Sequence, residues 1–203
     1  MKKNNIANWC LGLLAVGFLW SCQQKSTYTR TAERQLATGQ RTDTIFLEMK
    51  FGIRTDSFFN LCRRLNREQI IRDGYDNRVM VIHYDLGEKY TKAPAAMDFF
   101  PVFKDTSLVQ MGCSFTYNGW SPTNKDYSAN QLLKEVKPLV EKWYGTGFFS
   151  IGKKQGDTVW AKIDNNRRIL LFVADDHRVR MLVTDLSKIE NPTAQVTPQD
   201  LAK

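Results

Sequence analysis

Two histidines, two cysteines in the body of the chain and a scatter of carboxylates are the groups from which a reaction could be built in this sequence. His83 lies in an alternating apolar stretch with Val79 and Val81 on its side, which reads as a packed histidine bonded to backbone. His177 follows Asp175 and Asp176, a trio whose residue types suit a metal or acid–base chemistry. Aspartate is also common in turns, and neighbouring side chains at a strand end are not expected to converge on one ligand. No set of Cys and His has zinc spacing, so neither a metal nor a cofactor is expected. Carboxylate chemistry through Asp175 with Asp176, or through Glu48, is the route left for a hydrolase.

Two strings imitate motifs and fail on context. Ser150 and Lys153 spell S-x-x-K, in which the serine must open a helix so that the lysine lies one turn away; Gly152 and the following Lys-Lys-Gln-Gly predict a loop instead. Gly145 and Gly147 imitate the start of a dinucleotide fingerprint, yet they follow a helical pattern and open none. Binding surfaces are better represented. Arg63, Arg64 and Arg67, with Arg72 and Arg78 close behind, form either a solvated face partly neutralised by Glu68, Asp73 and Asp76, or a docking surface for an anionic partner. Lipid phosphates, an acidic glycan or an acidic envelope protein would fit the second reading. No nucleic-acid motif is present, and nucleic acid is not an expected partner. Trp120 and Tyr127 sit in an Asn/Ser/Pro loop at 118–127, suited to stacking on sugars or gripping a peptide; equally, Trp120 folds back as a loop anchor.

The N-terminus supplies an address. Lys2 and Lys3 precede twelve uncharged residues at 9–20 (WCLGLLAVGFLW), a helix of about 18 Å against a hydrocarbon core of about 30 Å. That is a signal-peptide core and not a span. Leu19-Trp20-Ser21-Cys22 resembles the lipobox of bacterial lipoproteins, and the resemblance implies that Cys22 is lipidated and becomes the mature N-terminus. Gln23 after the cysteine, in place of Asp, implies sorting to the outer membrane with the domain facing the periplasm. Cys10 would be discarded with the leader.

The rest of the 203 residues must position these groups. Hydrophobic residues at 42%, charged at 25%, with 12 Gly and 6 Pro, exclude a collagen-like or wholly disordered chain. The net charge is +8, or +6 without the leader lysines. Residues 22–42 are polar and predict a flexible tether; 191–203 predict a frayed tail. Between them, 43–190 predict a single α+β domain: an antiparallel sheet with two amphipathic helices on one face. Alternation predicts a strand at 44–51, and Phe58, Leu61, Cys62 and Leu65 a helix capped by Thr55 or Asp56. Asp73-Gly74 reads as turn chemistry. Strands are expected at 78–84, 96–103 and 107–117, with Pro101 near an edge or at a bulge. A second helix opens on a Ser128/Gln131 capping box, contains Pro138 and stops at Gly145. Three strands follow, at 157–163, 167–174 and 178–184.

Helix and then meander occurs twice, which suggests a duplicated unit. That order resembles the β-lactamase-inhibitor-protein type of architecture, and Phe51-Gly52-Ile53-Arg54-Thr55 before a helix resembles the opening of small lipoprotein domains that assist outer-membrane protein assembly. Neither resemblance assigns a site residue. Cys62 and Cys113 both point inward, as thiols or as one disulfide between helix and sheet. The function expected is a binding or envelope-assembly module and not an enzyme. The alternatives are a carboxylate-dependent glycan or peptidoglycan hydrolase, and an inhibitor that presents the Trp120 loop to another envelope enzyme.

Overall fold

Each half of the chain is a helix followed by four antiparallel strands. The computed structural model describes residues 25–76, 79–87, 90–154 and 156–201; the lipobox and Cys22 lie outside them. A first helix, α1 (Thr27–Leu36), precedes both halves. The first half is α2 (Thr55–Arg67) with β1 (Arg72–Asp76), β2 (Val79–Asp85), β3 (Ala95–Lys104) and β4 (Ser107–Tyr117). The second is α3 (Ala129–Tyr144) with β5 (Phe149–Lys154), β6 (Asp157–Asp164), β7 (Arg167–Val173) and β8 (Val179–Asp185). One eight-stranded sheet results, in the order β1-β2-β3-β4-β8-β7-β6-β5, symmetric about the β4–β8 seam. The α+β class is as the sequence predicts.

Strand alternation dictates the two faces. Phe58 and Leu65 of α2, with Leu132, Val136 and Val140 of α3, pack with Met97, Phe99, Met111, Phe115, Leu171 and Met181 of the sheet. The opposite face of β6–β8 is covered too, by α1 and the C-terminal segment. Tyr28 and Ala32 meet Val159, Ala161, Leu170, Phe172, Leu182 and Leu201 there. Coverage on both faces is why every residue of β7 is buried.

This second layer corrects the tether and tail expectations. Ser26 accepts the Thr29 N–H at 3.1 Å and caps α1. Tyr28 is 2% exposed, and its hydroxyl takes a bond from Arg168 at 3.0 Å while reaching Pro192 O at 3.4 Å. The polar composition of 22–42 disguised a short stripe, Tyr28, Ala32 and Leu36, at four-residue spacing. Beyond α1, Asp185 gathers the chain: its carboxylate receives Arg41, Asn166, and both the N–H and hydroxyl of Ser187.

The strand expected at 44–51 is instead a tight reversal. Thr44 bridges Lys50, Met49 N–H reaches Phe46 O, and Leu47 takes φ 52°. Ile45, Met49 and Phe51 are buried as alternation requires, but Leu47 at the tip is 41% exposed. Leu61 and Trp143 are only half-buried. β1 and β5 form where turn and loop were expected; Gly74 is paired with Val81, and β5 absorbs Gly152 at a register shift. β3 is internal, but its pairing with β2 stops at Phe99, and a bulge follows at Val102/Phe103. Pro101 thus sits past the end of that ladder. α2 is capped at Arg54 without a side-chain bond. Ser128 caps α3 without one as well; the Ala129 N–H is instead taken by Asp176 O at 2.9 Å.

Candidate functional site

α2 presents two stripes. Phe58 and Leu65 face the core, while Phe59, Cys62, Arg63, Asn66 and Arg67 recur at three-and-four spacing on the flank toward β1–β3. Across from that flank runs the cross-strand row Asp73, Ile82 and Phe99, continued by Pro101 two residues along β3. Helix flank and row enclose a cleft of about 530 Å³, within the size range of small-molecule sites. Its walls are mostly apolar, Phe59, Cys62, Ile82, Phe99 and Pro101, with the Asn66 amide as the one neutral hydrogen-bonding side chain. Its charged groups are Arg63, Arg67 and Asp73.

Arg63, Arg64 and Arg67 together line an open depression beside α2 that Glu48 also lines, and of the three only Arg63 and Arg67 also line the cleft. Arg64 turns away from the cleft, into ion pairs with Glu48 at 2.7 Å and Glu68 at 3.2 Å. The hydrogen bond from Arg64 holds the Glu48 carboxyl below its usual range and overcomes the opposing desolvation. Glu48 is therefore a tied carboxylate. Among the described residues, Arg63 donates only to the neutral Asn60 side chain. Arg67 has no hydrogen bond or ion pair among the described residues.

Cys62 and Cys113 are free thiols. Burial, and then the nearby Asp73, push the Cys62 thiol up to about 11 against the opposing effect of Arg63. Burial pushes Cys113 up to about 12. Both are protonated at neutral pH, so Cys62 is a weakly polar patch of wall and not a nucleophile.

The aromatic loop does not join this cleft. Trp120 stacks on the His177 ring at 4.6 Å, and Tyr127 packs on Tyr117 at 5.1 Å. Both act as anchors of their loop. Contrary to expectation, Asp175, Asp176 and His177 do converge, with one ligand atom from each within 4.8 Å of the others. The Asp175 carboxylate, however, is already engaged by Arg178 at 2.7 Å and by the N–H groups of His177 and Arg178. These bonds hold its carboxyl below the usual range although burial acts the other way. The turn is closed by its own charges.

Sequence reasoning missed a polar row on the open face of β1–β4. Arg72, His83, Asp98, Ser114 and Arg180 are direct cross-strand neighbours. His83 is not bonded to backbone: Nδ1 lies 2.7 Å from Asp98, and Nε2 lies 2.7 Å from Arg72 and 3.1 Å from Asp85. Ser114 Oγ is buried without a hydrogen-bond partner among the described residues. It stands two strands from His83, about 9–10 Å across the sheet, with Asp98 between them. A nucleophilic site needs serine beside imidazole and carboxylate behind it; this row runs in the wrong order. No signal in one strand could have revealed it, because only register brings five strands into line.

Against known protein families, curated proteins and solved structures, the chain finds no match.

Proposed function

We propose that the chain is a lipid-anchored envelope protein that works as a binding module, with the α2 cleft as its ligand-taking surface. The leader and lipobox support the address: Cys22 carries the lipid, and Gln23 favours the outer membrane with the domain facing the periplasm. The cleft is the observation that carries the activity. It is an apolar slot with two cations at its mouth, neither of them paired with a carboxylate among the described residues.

Binding is favoured over catalysis by how the reactive groups are held. The thiols stay protonated, Glu48 is tied to Arg64, Asp175 to Arg178, and Ser114 is separated from the histidine by Asp98. Trp120 lies against the His177 ring of its own chain, which favours a loop anchor over a plug for another enzyme.

Cys22→Ser should leave an unprocessed precursor that takes up no labelled fatty acid; equal labelling of wild type and variant would remove the anchor. For the module, crosslinking in intact envelopes should recover a ligand or partner that the Arg63→Glu/Arg67→Glu variant loses and the Arg64→Glu variant keeps. Loss in Arg64→Glu with retention in the other would place binding elsewhere.

A further inference from the structure

If the cleft under α2 is the binding site proposed above, its walls and mouth also constrain what enters it. We infer that its ligand is a single-chain amphiphile: an acyl chain lying along Phe59, Ile82, Phe99 and Pro101, with one carboxylate held between Arg63 and Arg67. The interior wall offers no charged group, and its polar groups are the Cys62 thiol and the Asn66 side-chain amide. A sugar or a polar peptide would leave most of its hydrogen-bonding groups unpaired there, whereas a hydrocarbon chain leaves none.

The mouth sets the head. Arg63 and Arg67 are four residues apart on one helix face, so both guanidinium groups reach the same point. Each presents a planar fork that matches a carboxylate. Asp73 on the opposite lip leaves a net charge of +1 at the mouth, which complements a single negative charge. It also repels the head from the β1 side and orients it to the helix. The cations are spare: Arg64 shows what an arginine on this helix does when carboxylates lie in reach, and Arg67 has no such partner among the described residues. The volume of about 530 Å³ suits one chain and not the two chains and bulky head of a bilayer phospholipid.

The test uses the full chain in nanodiscs of a zwitterionic phospholipid, exposed separately to a diazirine derivative of dodecanoic acid and to the matching dodecanol. Crosslinks are mapped by mass spectrometry and normalised to labelling of the nanodisc lipid. The acid should label the peptides holding Phe59–Arg67 of α2 and Phe99–Pro101 of β3 at least tenfold more than the alcohol does. Arg63→Ala/Arg67→Ala should bring the acid down to the level of the alcohol, and Arg64→Ala should leave it unchanged. Equal cleft labelling by acid and alcohol in the wild type would overturn the anionic head while the cleft remained a binding site. Labelling of neither cleft peptide by either probe would overturn this inference and the binding-site reading together.

Discussion

Asp185 and Asp73 are two carboxylates with opposite consequences. The Asp185 side chain is 2% exposed, and burial alone would raise its pKa. The bonds from Ser187, Asn166 and Arg41 outweigh that and hold it below the usual carboxylate range. A depressed folded-state pKa contributes stability that is fully present above the unfolded value of about 3.9, and is lost as pH falls through the folded value. Asp185→Asn should therefore cost about 1–3 kcal/mol at neutral pH. Its thermal midpoint should also fall less steeply than that of wild type as pH drops below about 4. Parallel curves for the two proteins would mean that Asp185 carries no such linkage. Asp73 is exposed and faces the cleft mouth. Asp73→Asn should strengthen binding of an anionic ligand modestly, within about fivefold, since exposed charges interact by no more than about 1 kcal/mol. An isothermal titration with dodecanoate, showing weaker binding in the variant, would contradict the orientation assigned to Asp73.

At the scale of elements, α1 makes the sharpest prediction. As part of a tether, Tyr28 could be changed freely; as a filler between the sheet and the C-terminal segment, Tyr28→Ala should cost about 3 kcal/mol or more. Leu132→Ala, in the buried stripe of α3, should cost about 2–5 kcal/mol. Denaturant midpoints measure both, and an unmoved midpoint for Tyr28→Ala would restore the tether. These two helices show what the sequence made legible. α3 and α2 declare themselves because their apolar stripes are long and regular. α1 does not, because only Tyr28, Ala32 and Leu36 mark it within a polar segment. Strands β6, β7 and β8 were readable from alternation and turn residues. β1 and β5 were not, because Gly74 and Gly152 look like breaks until pairing partners are known. Part of the cleft was readable as well: Arg63 and Arg67 share a helix face, whereas Cys62, read from the sequence as pointing inward, also lines the cleft wall, and Asp73, Ile82 and Phe99 become neighbours only through register. Arg64 could not be separated from its neighbours by spacing, since its partner Glu48 comes from the reversal that alternation disguised as a strand.

On the scale of the whole molecule, the β4–β8 seam makes two helix-and-meander units into one sheet. Gly112 stands at that seam opposite Leu182, and the Phe100 ring lies across it so closely that an added Cβ would come within 2.2 Å of the ring. Gly112→Ala must displace Phe100 and its contact with Arg180, at a cost of about 1–3 kcal/mol. Because the seam is continuous, calorimetry should show one transition in wild type and variant alike, lowered in the variant. Two separate transitions would show that the halves melt as independent bodies. A different consequence comes from where α1 begins. With Cys22 acylated, the five steps from Cys22 to Thr27 give a leash of at most about 17 Å, too short to let the body drift from the leaflet or turn over freely. The leash joins the body on the α1 side of the sheet, and the cleft opens on the other. With the anchor proposed above, the protein would turn its back to the bilayer that holds it, and whatever fills the cleft would arrive across the aqueous space, handed over from outside and not drawn up from the lipid beneath.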